Sequence, residues 1–288
     1  MALIHNILEI SYQPLRFCNV LLKRIGLKKP RLRILNYHTL TEEEHSKLTH
    51  QLSWLARKWS FISPEDFVAI IKGEKAHECD QLLVTFDDGF STNRSAAERI
   101  LNPMGIKAIF FVVSEFVNVA SDQDAKRFIS KHIYPKMAIE DVPDDWSNMR
   151  MDDLHFLINT GHTIGCHTST HARLSEIKDS NVLENEIILG ADYLEKCLGI
   201  KVEHFSFPFG NVDSFSPEAL MVARSRFPFI YTGVRGNNTK RVPSWAFRRD
   251  AMQAKDSLAL VGALLEGGTD HYYAPSLTKY ESWSKVKY

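Results

Sequence analysis

The feature that most limits how this chain can fold is an alternation. From residue 31 onward, short apolar runs are followed again and again by segments with helical spacing. The runs at 33–38, 82–87, 107–113, 162–167, 204–208 and 228–233 read as strands, and 241–249 is expected to hold one more. Helical patterns lie near 46–58, 64–72, 92–102, 151–160, 180–198 and 216–226. The pattern at 180–198 is the clearest: Leu183, Ile187, Ile188, Ala191, Leu194 and Leu198 share one face, and Gly199 suits the position just past a helix end. Continuous apolar strands separated by helices imply a mainly parallel sheet covered by helices on its faces. Six or seven such units in 288 residues fit one closed or partly closed α/β barrel with short additions.

Composition narrows the function classes. A 44% hydrophobic, 24% charged chain can bury a sizeable core. Thirty-five Lys and Arg balance 35 Asp and Glu, which excludes a globally basic nucleic-acid binder and an acidic disordered chain. Cys18, Cys79, Cys166 and Cys197 are far apart with no C-x-x-C pair, so neither a disulfide scaffold nor a cysteine-type structural zinc site is expected. No apolar stretch reaches the ~18 residues of a spanning helix, and the first residues lack the shape of a signal peptide. A cytoplasmic location is the expectation.

Three regions are read as domain parts: an amphipathic basic segment over 1–30, a barrel domain over 31–266, and a polar, aromatic tail over 267–288. In the first, Leu3, Ile4, Ile7 and Leu8 form one helical stripe. Pro14 is expected to break it before a second stripe of Leu15, Cys18, Leu21, Leu22 and Ile25. Lys23, Arg24, Lys28, Lys29, Arg31 and Arg33 then make a basic cluster. Residues 1–33 thus suit peripheral contact with an anionic membrane, at the inner face for a cytoplasmic protein; a terminal helix packed on the domain is the alternative. Residues 118–150, polar and irregular, are read as a loop insertion over one face.

Three segments carry chemistry. In Thr85-Phe86-Asp87-Asp88-Gly89-Phe90 an apolar run delivers two adjacent carboxylates to a strand end, where α/β enzymes place reacting groups. Neighbouring carboxylates repel unless a cation or proton lies between them, although Asp88-Gly89 also suits a simple turn. In His167-Thr168-Ser169-Thr170-His171, two imidazoles four residues apart share one face if the chain turns helically, and neutral imidazoles suit zinc and similar ions. Strand alternation points Cys166 away from them. In Phe205-Ser206-Phe207-Pro208-Phe209-Gly210, an aromatic corner forms a rigid wall with a close backbone approach.

In this order, with a helical unit between each, these segments resemble the polysaccharide deacetylase family, the carbohydrate esterases that share the NodB-homology domain. Leu35-Asn36-Tyr37-His38, Phe110-Phe111-Val112-Val113, the Gly161–Gly165 lead-in and Ala172-Arg173-Leu174 are similar to the family's flanking segments, and the likeness covers roughly residues 31–250. The resemblance implies a distorted (β/α) barrel with one divalent metal ion, zinc or alternatively cobalt, nickel or manganese. Asp88, His167 and His171 are its implied ligands and Asp87 the implied general base. Pro208, Phe209 and Gly210, together with His38 near the barrel mouth, are the expected substrate-binding residues. Many members carry an Arg two residues before the Pro of the third motif. Here that position is Ser206, and Arg249, or alternatively Arg248, is the candidate replacement. A late Leu-x-His that supplies a general acid in many members is absent. The implied activity is removal of an N-acetyl or N-formyl group from an amino sugar in a glycan or its precursor. A sugar-binding or regulatory protein of the same fold and a metal-assisted hydrolase of a non-sugar amide are the alternatives.

Overall fold

The computed structural model describes residues 2–239 and 242–283. The chain runs α1 (Ala2–Arg24), β1 (Leu32–Tyr37), α2 (His45–Ala56), β2 (Ser60–Phe61), α3 (Pro64–Lys72), β3 (Gln81–Phe86), α4 (Ser91–Ala96) and β4 (Ala108–Val112). It continues through α5 (Asp122–Phe128), α6 (Met151–Asn159), β5 (Thr163–Cys166), α7 (Ser180–Glu184), α8 (Gly190–Leu198) and β6 (His204–Ser206). The last elements are α9 (Pro217–Arg226), β7 (Phe229–Tyr231), β8 (Asp250–Ala251), α10 (Leu258–Leu265) and α11 (Ala274–Trp283). The strands form one sheet in the order β7-β6-β5-β4-β3-β1-β8, with β2 paired to the start of β3, and every pairing is parallel.

Residues 247–252 bring the two ends of that order together. Phe247 N–H donates to the Ile230 carbonyl, Thr232 N–H to the Phe247 carbonyl, and Arg249 N–H to the Val234 carbonyl. On the other side Asp250 and Ala251 pair with Leu35 and Asn36 of β1, and Met252 N–H donates to the Asn36 carbonyl. The sheet thereby curls into the distorted (β/α) barrel expected from the alternation. Successive strand residues face opposite ways. Leu35, Tyr37, Val84, Phe86, Phe110 and Val112 pack under the helices. Ile34, Leu83, Ile109, Phe111, Tyr231 and Phe247 meet in a separate cluster, plugged by Phe67 of α3. The second set continues, two residues at a time, into Asn36, Thr85 and Asp87. One strand face is thus apolar at its base and polar at its carboxyl end.

Several expectations need correction. α1 is continuous through Pro14. The proline removes one backbone donor, but Leu8, Tyr12 and Asn19 are buried along the helix and its packing on α10 outweighs local propensity. Residues 118–150 are not merely a loop: α5 and a π-helical turn at Ile129–Ile133 close over their own apolar cluster of Phe90, Phe116, Ala125, Ile129, Ile133 and Val142. The tail contains α11, whose Tyr280 is buried and donates its hydroxyl to the Trp245 carbonyl. Within the helix expected over 180–198, a π-helical turn (Asn185–Leu189) separates α7 from α8. Of the seventh strand expected at 241–249, residue 241 lies outside the described residues, and the extended pairing with β1 falls at β8 instead.

Two outcomes follow from this packing. A Cβ on Gly262 of α10 would lie 2.4 Å from the Tyr12 ring. Gly262→Val is therefore expected to cost about 1–3 kcal/mol by overpacking, measured as a lower urea midpoint. Second, burial pushes His162, which also lies beside Lys107, down to about 4 and His204 down to about 3. Unfolded imidazoles titrate near ~6.5, so as pH falls below that value the unfolded chain takes up protons before the folded one does. Stability is full above that pH and declines through the acid range. His162→Gln should flatten this acid limb in urea denaturation at a series of pH values.

Candidate active site

At the end of β3 the inward register places Asp87 where its carboxylate is 2% exposed, and the following turn buries Asp88 to 1%. Adjacent buried carboxylates need cations, and the structure meets this separately at each one. Arg249 takes Asp87 as a fork, Nη1 to Oδ1 at 2.6 Å and Nη2 to Oδ2 at 2.8 Å. Asn36 Nδ2 adds a bond to Oδ2 at 2.9 Å. The guanidinium is itself held on every side. Its Nε donates to the Thr232 carbonyl at 3.0 Å, Nη2 donates to Ser206 Oγ at 2.6 Å, and the Phe111 ring lies 5.2 Å from its centre. Burial pushes the Asp87 carboxyl up, but Arg249, with His167 and His38 nearby, outweighs it and holds the group below the usual carboxylate range. Arg248 turns away, toward Glu281 at 3.8 Å.

Asp88 Oδ1 is buried and accepts no hydrogen bond. His167 Nε2 lies 3.4 Å and His171 Nε2 3.3 Å from it. The other ring nitrogens decide the tautomers. His167 Nδ1 faces the Ser206 carbonyl at 2.8 Å and His171 Nδ1 the His132 carbonyl at 3.1 Å. A carbonyl only accepts, so both Nδ1 atoms carry the proton and both Nε2 atoms present lone pairs. Two lone pairs and an orphaned carboxylate oxygen thus converge with no proton among them. This is how imidazole ligands are oriented toward a cation. The spacings match the about 3.4 Å between ligand atoms of a tetrahedral shell with bonds of about 2.1 Å. Asp88, His167 and His171 are the one such group among the described residues.

The histidines do not converge through a helical turn. They sit on a loop in which Thr168 and His171 have φ of 65° and 64°. His171 N–H donates to Thr168 Oγ1 at 3.0 Å. The Thr170 amide and hydroxyl both donate to the Glu186 carboxylate, at 3.0 and 2.7 Å. Glu186 belongs to the π-helical turn after α7, whose extra residue helps aim it inward. In the third motif Phe209 has φ of 62°, and Gly210 lies back to back with Gly233, where a Cβ would come within 2.5 Å of the Gly233 nitrogen. The Phe209 ring stands 4.7 Å from the His171 ring, with the Arg173 guanidinium 4.5 Å from its centre. Pro208 accepts from Ser214 Oγ at 3.0 Å, which fixes the corner. Asp88, Thr168, His171 and Phe209 are the four non-glycine residues with positive φ among those described. Backbone strain is concentrated at this site.

His38 stands at the mouth, 40% exposed in its side chain, with Nε2 3.8 Å from Asp87 Oδ2. It lines an open cavity of about 530 Å³ together with Glu44, Tyr134, Trp146, Met252 and Lys255. The sequence motifs point to no role for Asn36, Glu186, Tyr134 or Trp146. Only Asn36 carried a signal, as a polar residue at the inward register of an otherwise apolar strand.

The sequence profile described as polysaccharide deacetylase matches residues 74–224, more than half of the chain. The chain therefore belongs to the polysaccharide deacetylase family and is a hydrolase of carbon–nitrogen bonds in non-peptide amides. Its structure is similar to that of IcaB from Ammonifex degensii, with a TM-score of 0.64 and 20% identity over 83% of this chain and 98% of that one. It is also similar to the Streptococcus pyogenes deacetylase PplD, with a TM-score of 0.63 and 18% identity over 81% and 97% of the two chains. The deacetylase domain of BpsB from Bordetella bronchiseptica gives 0.63 and 16% over 78% and 98%. At these identities the likeness is one of fold. No curated protein matches the chain.

Arg249→Met would leave the Asp87 carboxylate buried without its cation. It is expected to cost about 3–5 kcal/mol, read by urea denaturation. Arg249→Lys should recover only part of that, because an ammonium cannot form the fork.

Proposed function

We propose that this deacetylase removes an N-acetyl group from an amino sugar of a glycan or glycan precursor, using one divalent cation held by Asp88, His167 and His171. The single observation that carries the reading is the orphaned Asp88 oxygen facing two imidazole lone pairs. Two nitrogens and one oxygen suit zinc, and cobalt, nickel and manganese also accept such a set. A cation bound there polarises the amide carbonyl and acidifies water.

The chain's own residues supply the rest. Asp87 is the general base. Its Oδ2 lies on the site's side, 3.9 Å from His167 Nε2, and takes the proton of the attacking water, while Arg249 and Asn36 fix the carboxylate's plane. The developing oxyanion meets the backbone N–H groups of the Phe209–Gly210 corner. His38, whose Nε2 lies 3.8 Å from Asp87 Oδ2, is the candidate to hand a proton to the departing amine. Tyr134 and Trp146 in the mouth cavity, and Phe209 beside His171, offer apolar faces suited to a sugar ring. A sugar-binding protein without turnover was suggested by Ser206 standing where many relatives carry Arg. Arg249 contacts Asp87 directly and also donates to Ser206 Oγ, which answers the missing Arg and counts against that reading. We place the protein in the cytoplasm, at the inner membrane face. Four unpaired cysteines suit a reducing compartment, and no helix among the described residues is long and apolar enough to cross a membrane.

Chelation is expected to abolish acetate release from an N-acetylglucosamine oligomer, and added zinc to restore it. Asp88→Asn and His171→Ala should each weaken metal retention by about 10–100-fold. Asp87→Asn should keep its metal and lose about 10²–10⁴-fold in kcat. Normal turnover by Asp87→Asn would remove it from the role of base.

A further inference from the structure

α1 is buried along one side and bare along the other. Leu8 and Tyr12 are buried, and Asn19 Nδ2 donates to the carbonyl and carboxylate of Glu266, so the inner side is committed to the barrel. On the outer side Ile7, Ile10, Phe17 and Leu21 are 58%, 79%, 71% and 49% exposed. At 3.6 residues per turn these four fall within an arc of about 80°. Past the helix, Ile25 and Leu27 are 58% and 75% exposed. An apolar strip of this size on one element marks an interaction surface rather than scattered surface residues.

Charge identifies the occupant. Residues 2–30 contain five Lys or Arg and a single acid, in a chain whose formal net charge is zero. That acid, Glu9, accepts from Ser257 Oγ. Arg24 and Lys29 are exposed at the basic end of the strip. At the foot of α1, Lys23, Lys28 and Lys58 line an open depression of about 410 Å³ with Glu78, Cys79 and Asp80, and Asp80 is already paired with Lys23 and Arg31. α1 of a second copy would offer these cations no free acid, since Glu9 is bonded to Ser257. Acidic headgroups above acyl chains offer both complements at once.

We propose that α1 lies on an anionic lipid surface, with the Ile7–Ile10–Phe17–Leu21 strip entering the boundary between headgroups and acyl chains. The bond from Ser257 to Glu9 ties the first half of α1 to the loop that follows β8, and Met252, Gln253, Ala254 and Lys255 of that loop line the mouth cavity. Docking therefore sets the mouth beside the membrane. Resting on the deacetylase reading, this makes the substrate class an amino sugar carried at a lipid surface.

The test is co-sedimentation of the full chain with vesicles of phosphatidylcholine alone or mixed with phosphatidylglycerol. Binding is expected only to the anionic vesicles and should weaken with salt. Ile10→Asp with Phe17→Asp should reduce the partition at least about tenfold. Arg24→Gln and Lys29→Gln should each reduce it about fivefold. All of these variants should release acetate from a soluble N-acetylglucosamine oligomer as the parent does. Equal vesicle binding by parent and variants would overturn the proposal. So would an absence of vesicle binding together with a concentration-dependent dimer, seen by light scattering and lost in the Phe17→Asp chain, since that would make the occupant a second copy. Intact vesicle binding without acetate release would fault the deacetylase reading and leave the docking surface standing.

Discussion

Two carboxylates on consecutive residues, both removed from water, are the constraint on which the rest of the structure turns. Neither Asp87 nor Asp88 can remain ionised in that position without a cation. Asp87 has one from the protein, the Arg249 fork. Asp88 has none from the protein, only two imidazoles whose protons are already given to backbone carbonyls. The difference between these neighbours separates their chemistry. One is a fixed carboxylate with an oxygen turned to the site, and the other keeps a buried oxygen that accepts no hydrogen bond.

The barrel exists in a form that delivers this arrangement. Parallel strands end on one side, so Asp87, Asp88, His167 and the Pro208–Gly210 corner all arise just past strand carboxyl ends. Closure by residues 247–252 carries Arg249 to Asp87, 162 residues away in sequence. The positive φ values at Asp88, Thr168, His171 and Phe209 show that these turns hold conformations unfavourable for side-chain-bearing residues. Glu186, bonded twice to Thr170, is part of what holds the histidine loop in place.

Much of this was legible in the sequence, and for identifiable reasons. The alternation of apolar runs with helical spacing has only a few architectures open to it, so six strands and the barrel could be read directly. The converging triad was legible because its chemistry is concentrated in two short segments. What escaped reading depends on long-range contact. The continuity of α1 through Pro14 depends on α10 near the other end of the chain. The insertion at 118–150 looks polar because its apolar residues are scattered among charged ones, and Phe90 and Val113 from outside it complete their cluster. The π-helical turn that aims Glu186 leaves no mark in a periodic pattern, and the left-handed residues of the histidine loop are not glycines.

X-ray absorption at the zinc edge of the zinc-loaded protein reads whether Asp88, His167 and His171 share one cation. The expected first shell has nitrogen and oxygen neighbours at about 2.0–2.2 Å and includes two imidazoles, with that imidazole signature halved in the His171→Ala protein. A shell containing sulfur at about 2.3 Å, or one lacking imidazole and unchanged by His171→Ala, would contradict it.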